Sequence, residues 1–191
     1  MTAAGTVQQN PIGCIVLAAG SSSRFGSDKR RYQLTPGVAL LAQTLALLQP
    51  LFTERVLVLK PDDTTLAEQY RNDWRIVTAA DANLGMGHSL AAAMPAAKTW
   101  QAAVIALADM PWVLPGSIVA VRNALTPSAL VVPHFQERRG NPVGIGRDYF
   151  PRLAALQGDS GARQLLQKFS DRIVRLDLDD PGLVRDLDTP P

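Results

Sequence analysis

Cysteine and histidine are scarce in this sequence of 191 residues. Cys14 is the single cysteine, and His88 and His134 are the two histidines. One cysteine cannot form an internal disulfide, and no metal-ligand spacing surrounds it, which excludes a disulfide scaffold and a cysteine–histidine metal centre. Because Cys14 lies in an apolar run, we expect it to be a small buried core residue. Neither histidine has a partner at a spacing typical of catalysis.

Net charge is also low, and long apolar runs are missing. The formal net charge is +2, and charged residues make up 19% of the chain. This balance does not indicate a general nucleic-acid binder. No apolar stretch approaches the roughly 20 residues that a membrane helix needs, and the first residues lack the pattern of a secretion signal. We therefore predict a cytoplasmic protein with no nucleic-acid partner and no membrane partner.

The chain does contain a regular alternation of short apolar runs and helical stretches. Strands are predicted over residues 14–18, 55–59, 75–79, 102–108, 129–133, 141–146 and 172–178, and helices over 38–52, 64–70, 88–97, 115–125, 148–156 and 161–169. This order predicts an α/β fold, a three-layer sandwich with a Rossmann-like, mostly parallel sheet. We expect a single domain over residues 12–191, preceded by a flexible lead-in over residues 1–11.

The loop after the first predicted strand, LAAGSSSRFGSDKRR at residues 17–31, combines small and basic residues. Ligands of such folds bind at the carboxyl ends of the strands. Ala18 and Ala19 are small enough for a ring or a phosphate to approach the main chain. Gly20 and Gly26 permit backbone conformations that other residues resist. The composition therefore favours a loop that holds an anion.

Basic side chains strengthen this interpretation. The guanidinium of Arg24 suits phosphate oxygens, and the point charge of Lys29 can follow a phosphate during a reaction. The loop has neither the sequence GxxxxGK[ST] nor G-x-G-x-x-G. Two interpretations stay open, a phosphate-binding loop and a solvated basic loop. Arg30 and Arg31 are expected to be solvated charge.

Carboxylates at two places are candidate metal ligands. Asp109 directly follows the buried strand VIALA, where a carboxylate is well placed to hold Mg²⁺ near phosphates. A helix cap or a turn is the alternative role. Asp186 and Asp188, in DLDTP, lie on alternate residues of an extended segment and face the same way. Either is a candidate second ligand, and either is equally explained as solvated charge.

Glycine-rich loops occur at three further places. NLGMGHSL, at residues 83–90, puts Ser89 at a predicted helix start, as an ordinary helix start or as a wall of a nucleotide pocket. ERRGNPVG, at residues 137–144, is either a hairpin turn or a site for a second anionic substrate. GDSGAR, at residues 158–163, is explained by helix capping or by an anion site at a helix N-terminus.

Together these motifs resemble those of the MobA-like nucleotidyltransferases. LAAGSSSRFGSDK is similar to the family signature LAAGxSxRMGxxK, and GMGHSL, LADMPWV, RRGNPVGIG, GDSGAR and DLDTP follow in the family's order. The resemblance runs from about Ile12 to Pro190 and is nearest to the molybdenum cofactor cytidylyltransferase subgroup (MocA-like). It implies a fold of the nucleotide-diphospho-sugar transferase type. It also implies a Mg²⁺-dependent transfer of CMP from CTP to the phosphate of molybdopterin, the molybdenum cofactor, with release of pyrophosphate.

Carried onto this chain, the resemblance implies three sets of residues. The nucleotide site would consist of Ala18, Ala19, Gly20, Ser22, Arg24, Gly26, Lys29, Ser89 and Asp109. Arg24, Lys29 and Asp109 would be catalytic, the two basic residues neutralising the triphosphate. Asp109 and Asp188 would bind Mg²⁺, with Asp186 as the alternative second ligand. The acceptor would contact Gly140, Asn141 and Pro142.

Some positions depart from the family pattern or bear on the substrate. Guanylyl-transferring relatives usually carry LAGG, so Ala19 favours cytosine. Phe25 replaces a methionine, and Asn141 stands where histidine is common.

Two other functions are alternatives to cytidylyl transfer. They are a nucleotidyltransferase for a sugar or alcohol phosphate, and a non-catalytic chaperone that delivers the cofactor. Lys29 and Asp109 argue against a pure binder, and a molybdenum hydroxylase would receive the product.

Overall fold

The computed structural model describes residues 10–20, 25–159 and 161–187. Its strands are β1 (Ile12–Leu17), β2 (Gln33–Thr35), β3 (Val38–Ala39), β4 (Arg55–Leu59), β5 (Arg75–Thr78), β6 (Ala102–Leu107), β7 (Leu130–Phe135), β8 (Arg138–Arg139), β9 (Val143–Gly146) and β10 (Ile173–Asp177). Its α-helices are α1 (Leu40–Leu48), α2 (Thr64–Tyr70), α3 (Met86–Ala93), α4 (Pro115–Asn123), α5 (Phe150–Ala154) and α6 (Ala162–Lys168).

The main sheet has the strand order β10-β7-β9-β6-β1-β4-β5, and β8 pairs with β7. Neighbours run parallel in the β6–β1–β4–β5 half and between β10 and β7. β9 is the exception inside the sheet, because it runs antiparallel to both β6 and β7. Parallel pairing brings the carboxyl ends of β1, β4, β5 and β6 to one edge. The loops that follow these strands therefore meet there.

Alternation along the strands divides the apolar side chains between two faces of the sheet. Cys14 and Val16 of β1 join one core cluster with side chains of α1, α2 and α4. Ile15 and Leu17 join the other cluster with side chains of α3, α5 and α6. Helices thus cover both faces of a mostly parallel sheet, which confirms the predicted α/β three-layer sandwich. Cys14 is fully buried, as expected.

Some element boundaries differ from the predicted ones. The helix predicted over 38–52 begins at Leu40, because Val38 and Ala39 form β3 and pair with β2. It ends at Leu48, before a 3-10 turn that contains Pro50. Proline lacks the amide hydrogen that an α-helix interior uses. Within the described ranges, no helix is both long and apolar enough to span a membrane.

Candidate active site

A pocket of about 540 Å³ lies at the sheet edge where β1, β4 and β6 end. It is lined by Leu17, Ala18, Ala19, Gly20, Phe25, Lys29, Arg30, Lys60, Ala82, Asn83, Gly85, Met86, Ser89, Leu107, Ala108, Asp109 and Asp159. Most of these residues belong to the loops that follow the strands. The volume falls in the range of small-molecule sites, which occupy about 300–1,000 Å³.

The floor of the pocket is the backbone that continues β1. The Ala18 amide donates to the Val58 carbonyl at 3.0 Å, and the Ala108 amide donates to the Leu17 carbonyl at 3.2 Å. Ala18 and Ala19 are only 2% and 3% exposed, whereas Gly20 is exposed. Because neighbouring strands hold the chain on both sides up to this point, the floor is rigid and its small side chains leave room above it.

Lys29 and Asp109 meet at one side of the pocket. The Nζ of Lys29 lies 2.5 Å from Oδ2 of Asp109 and 3.5 Å from the Leu187 carbonyl oxygen. The two side chains are 19% and 14% exposed. Lys29 opens a 3-10 helix over Lys29–Arg31, which Asp28 caps by accepting from the Arg30 amide at 3.2 Å. An ion pair that borders solvent can exchange its partners for the charges of a bound anion.

The prediction made for Arg30 is wrong. The sequence suggested solvated charge, but Arg30 is 5% exposed. Its guanidinium donates to both carboxylate oxygens of Asp63 at 2.5 and 2.6 Å, to those of Asp28 at 2.7 and 2.9 Å, and to the Ala18 carbonyl at 2.8 Å. Arg31 is exposed, as expected, with 58% of its side chain accessible.

These ion pairs shift the titration of the acidic partners. Hydrogen bonds from Arg30 hold the pKa of Asp28 below its usual range, against the opposing effect of partial burial. Burial alone would raise the pKa of Asp63, but hydrogen bonds from Arg30 and from the Lys60 amide outweigh it and lower that pKa. Both carboxylates are therefore ionised at neutral pH.

Two of the glycine-rich loops line the pocket and are in direct contact with each other. The Gly87 amide donates to the Gly158 carbonyl at 2.8 Å. Gly85 has a φ of +124°, and a Cβ there would lie 2.3 Å from the Gly158 carbonyl carbon. Glycine is therefore required at residue 85 by both the conformation and the close approach. Asp159 and Ser89, which is 4% exposed, both line the pocket.

The predicted acceptor residues lie outside this pocket. The Gly140 amide donates to the Pro133 carbonyl, and the Asn141 amide donates to the Leu183 carbonyl, both at 2.8 Å. Asn141 and Pro142 border a small cavity of about 10 Å³. Leu107 borders both that cavity and the main pocket. Gly140, Asn141 and Pro142 are thus not among the residues that line the main pocket.

A segment near the C-terminus closes the loop that carries Asp109. The Leu187 amide donates to the Asp109 carbonyl at 3.3 Å. The buried carboxylate of Asp180 accepts from the Leu114 amide and from the Gly182 amide, each at 2.8 Å. Nothing in the local sequence of Asp180 distinguishes it from a surface aspartate, so this contact was not predicted.

Several predicted residues are not among those lining the pocket. Ser22, Arg24 and Asp188 lie outside the described residues. Gly26 has a φ of +74° and is exposed. Asp186 is exposed as well. Among residues 10–20, 25–159 and 161–187, no group of three or more histidine, cysteine or acidic side chains is placed to hold a metal ion.

Asp109, the predicted metal ligand, and Asp159 are the carboxylates among the described residues that line the pocket. Asp109 lines the pocket, and its backbone carbonyl accepts from the amide of Leu187 within DLDTP. Mg²⁺ in such sites takes about one or two carboxylates together with phosphate oxygens of the substrate. The hard oxygen donor of Asp109, at the end of a buried strand, fits that requirement.

Lys60, Asn83 and Asp159 line the pocket but were missing from the predicted site. Lys60 had a detectable signal, because it directly follows the apolar strand RVLVL as Asp109 follows VIALA. Asn83 stands inside the NLGMGHSL motif, and Asp159 inside GDSGAR. Position at the carboxyl end of a parallel strand is the signal that would have found Lys60.

The fold and this pocket define a nucleotidyltransferase. The sequence matches the model of the MobA-like NTP transferase domain over residues 14–174, and the chain belongs to that family. The purine catabolism protein PucB of Bacillus subtilis is 30% identical, over 92% of this chain and 91% of that protein. A protein of Chloroflexus aggregans named "Probable molybdenum cofactor guanylyltransferase" is 36% identical, over 63% of this chain and 58% of that protein.

Solved structures have the same fold. A homologue of Mycobacterium tuberculosis Rv0371c from Mycobacterium sp. strain JC1 superposes with a TM-score of 0.79 at 26% identity, over 95% of this chain and 92% of that one. A manganese complex of Rv0371c from Mycobacterium tuberculosis superposes with a TM-score of 0.68 at 22% identity, over 89% of each chain. The predicted sandwich of the nucleotide-diphospho-sugar transferase type is confirmed.

Proposed function

We propose that this nucleotidyltransferase transfers CMP from CTP to the terminal phosphate of molybdopterin and releases pyrophosphate. One observation carries the proposal. The Lys29–Asp109 pair faces a pocket whose floor is the main chain of Ala18, Ala19 and Gly20. Within this proposal the reaction takes place in the cytoplasm, and a molybdenum hydroxylase receives the product.

Charge in the pocket suits a triphosphate. Lys29 and Lys60 both line it, and Arg24 belongs to the loop between Gly20 and Phe25. Phosphoryl transfer depends mainly on positioning and on neutralising the charge of the transferring group. In the proposed reaction, the acceptor phosphate attacks the α-phosphorus of CTP and the bond to the β-phosphate oxygen breaks. Lys29 and Arg24 stabilise the negative charge of the leaving pyrophosphate.

Asp109 would hold Mg²⁺ in the proposed reaction, with Asp188 or Asp186 as a second ligand. The Leu187–Asp109 contact brings that part of the chain to the strand end of β6, which supports the second-ligand proposal. Bound Mg²⁺ would supply polarisation of the phosphate oxygens. Members of the family typically use divalent metals.

The cytosine end of the nucleotide is assigned to the part of the pocket that Asn83 and Ser89 line. Ser89 is nearly buried there and borders the pocket with Asn83. Ala19 stands where guanylyl-transferring relatives usually carry glycine, and at this position, which lines the pocket, alanine has a methyl group that glycine lacks. A pyrimidine ring is smaller than a purine ring, so this residue supports CTP as the donor. The acceptor phosphate would enter from the side of Gly140, Asn141 and Pro142.

Pyrophosphate release tests the proposal. The purified protein is mixed with Mg²⁺, molybdopterin and each of CTP, GTP, ATP and UTP in turn. We expect release with CTP that depends on molybdopterin. The control replaces molybdopterin with a sugar phosphate or an alcohol phosphate. Release with the control acceptors alone would point to another acceptor, and tight molybdopterin binding without release from any nucleotide would identify a carrier of the cofactor.

Guanylyl transfer is the second candidate. The relative from Chloroflexus aggregans that is 36% identical is named as a guanylyltransferase. The same assay decides between the two nucleotides, because each is tested at equal concentration with the same acceptor. A kcat/KM for GTP above that for CTP would establish the second candidate.

A further inference from the structure

Arg30 joins three segments that surround the pocket. Its five N–H donors contact the Ala18 carbonyl, the Asp28 carboxylate and the Asp63 carboxylate. Ala18 directly follows β1, Asp28 caps the 3-10 helix of Lys29, and Asp63 lies in the turn after β4. An arginine has five such donors in a fixed planar fork. All of them have an acceptor within 2.9 Å.

The Asp63 side chain binds Arg30 and does not cap its own helix. It occupies the N-cap position of α2, where an aspartate side chain usually accepts from amides of the first helical turn. Its carboxylate makes no such hydrogen bond. Instead it accepts from Arg30 and, at 2.9 Å, from the Lys60 amide. The contact with Arg30 also fixes the residue before the turn, Lys60, which lines the pocket.

The two neighbouring basic residues hold the loop after β1 from opposite sides. β1 lies between β6 and β4 in the sheet. Lys29 reaches Asp109 at the end of β6, and Arg30 reaches Asp63 after β4. A 3-10 helix has about three residues per turn, so adjacent side chains point in different directions. The loop is therefore connected to both adjacent strands.

We propose that Arg30 is a positioning residue that holds the loop after β1, and Lys29 with it, in the conformation that receives the triphosphate. This inference rests on the proposed function. Arg30 does not transfer a proton or bind the metal. It fixes the segment that carries Lys29 before the nucleotide binds, so that little of the binding energy is spent on ordering the loop.

The test compares Arg30→Lys with the matched control Arg31→Lys. Lysine keeps the charge but cannot contact two carboxylates and a carbonyl in one plane. We expect Arg30→Lys to lower kcat/KM for the nucleotide by about tenfold or more, because small displacements of positioned groups have effects of that size. Arg31 belongs to the same 3-10 helix and is exposed, so Arg31→Lys should stay within about twofold of wild type.

Hydrogen exchange of the free protein provides a readout besides activity. In Arg30→Lys, amides of residues 25–35 should exchange faster, while those of β6 should exchange as in wild type. Unchanged exchange and unchanged kcat/KM would overturn the proposal. So would equal acceleration in β6, because Arg30 would then act on global stability alone.

A second variant, Asp63→Asn, keeps the proposal testable if Arg30→Lys does not fold. Asp63→Asn retains an oxygen that accepts hydrogen bonds but removes the charge, and Asp62→Asn is its exposed neighbour and control. If Arg30→Lys and Asp63→Asn both unfold, the pair serves stability and the proposal is wrong. If wild type transfers no nucleotide, the proposed function fails, but exchange at residues 25–35 and equilibrium binding of CTP still decide on Arg30.

Discussion

Lys29 and Arg30 are neighbours in one 3-10 helix, but their ion pairs lie in different surroundings. The Lys29–Asp109 pair borders the pocket, and both partners retain some exposure. The Arg30–Asp63 pair is more deeply buried, with side chains 5% and 9% exposed. A charge that reaches solvent can exchange its partner for a ligand. A guanidinium whose five donors are all used cannot do so without breaking the structure around it.

The difference predicts opposite consequences for activity and stability. Removing a charge from the pair at the pocket should lower turnover and leave the fold nearly unchanged. Removing the Asp63 charge from the buried pair leaves Arg30 buried with only one of its two carboxylate partners, which is destabilising.

The largest effect should follow from Asp109→Asn. We expect kcat to fall by about 10³-fold, because the carboxylate that would hold the metal is lost while the side-chain shape is kept. Pyrophosphate release with CTP and molybdopterin measures this, and the melting temperature serves as the control. Turnover at the wild-type rate would remove Asp109 from the metal site.

A loss of stability should follow from Asp63→Ala. The substitution leaves Arg30 buried with Asp28 as its remaining carboxylate, and we expect the free energy of unfolding to fall by about 3 kcal/mol. Urea denaturation measures it, with Asp62→Ala as the matched variant in the same turn. A loss no greater than that of the exposed neighbour would show that the burial of the pair has no energetic consequence.

An intermediate effect on catalysis should follow from Lys29→Met. Methionine keeps much of the aliphatic stem and removes the charge, so kcat/KM for the nucleotide should fall by about 10²-fold. Stability should change by less than about 1 kcal/mol, as for pairs that border solvent. Steady-state kinetics and urea denaturation on one preparation separate the two quantities. A large loss of stability with intact kinetics would show that the Lys29–Asp109 pair serves stability and not activity, which contradicts the comparison.

The smallest effect should be a pH dependence of stability that depends on the buried pair. The folded-state pKa of Asp63 lies below the usual 3.8. Its stabilising contribution is therefore present above the unfolded-state pKa and is lost as the pH falls through the folded-state pKa. As the pH falls through the folded-state pKa, wild type should therefore lose more stability than Asp63→Asn. Parallel stability curves for the two proteins would contradict the assigned pKa shift.

The sequence predicts the sandwich and the position of Asp109 well, because both depend on local patterns. An apolar run followed by a carboxylate predicts the end of a strand, whatever the position of that strand in the sheet. The antiparallel direction of β9 had no such signal, since its apolar residues do not encode the direction of their neighbours. The burial of Arg30 was equally inaccessible from the sequence. Arg30 is buried because of Asp63, which lies 33 positions away in the chain.

In the glycine-rich loops of the pocket, too, the motifs could be predicted from local sequence but their contacts could not. GMGHS and GDSGAR were recognised as separate glycine-rich loops, but their contact through Gly85, Gly87 and Gly158 depends on how α3 and α5 pack. Lys60 belongs to the pocket because β4 adjoins β1. Strand order is a long-range property, and the alternation of apolar runs along one sequence does not determine it.

Contacts of Asp109 with residues near the C-terminus bear on how this protein is engineered. The family match ends at residue 174. Asp180 and Leu187, which lie beyond it, hold the loop of Asp109 through the Leu114 amide and the Asp109 carbonyl. A fragment cut at the homology boundary would retain every glycine-rich motif and lose the contacts that fix its acidic residue. Fragments, fusions and chimeras of this enzyme should therefore keep the chain intact at least through residue 187.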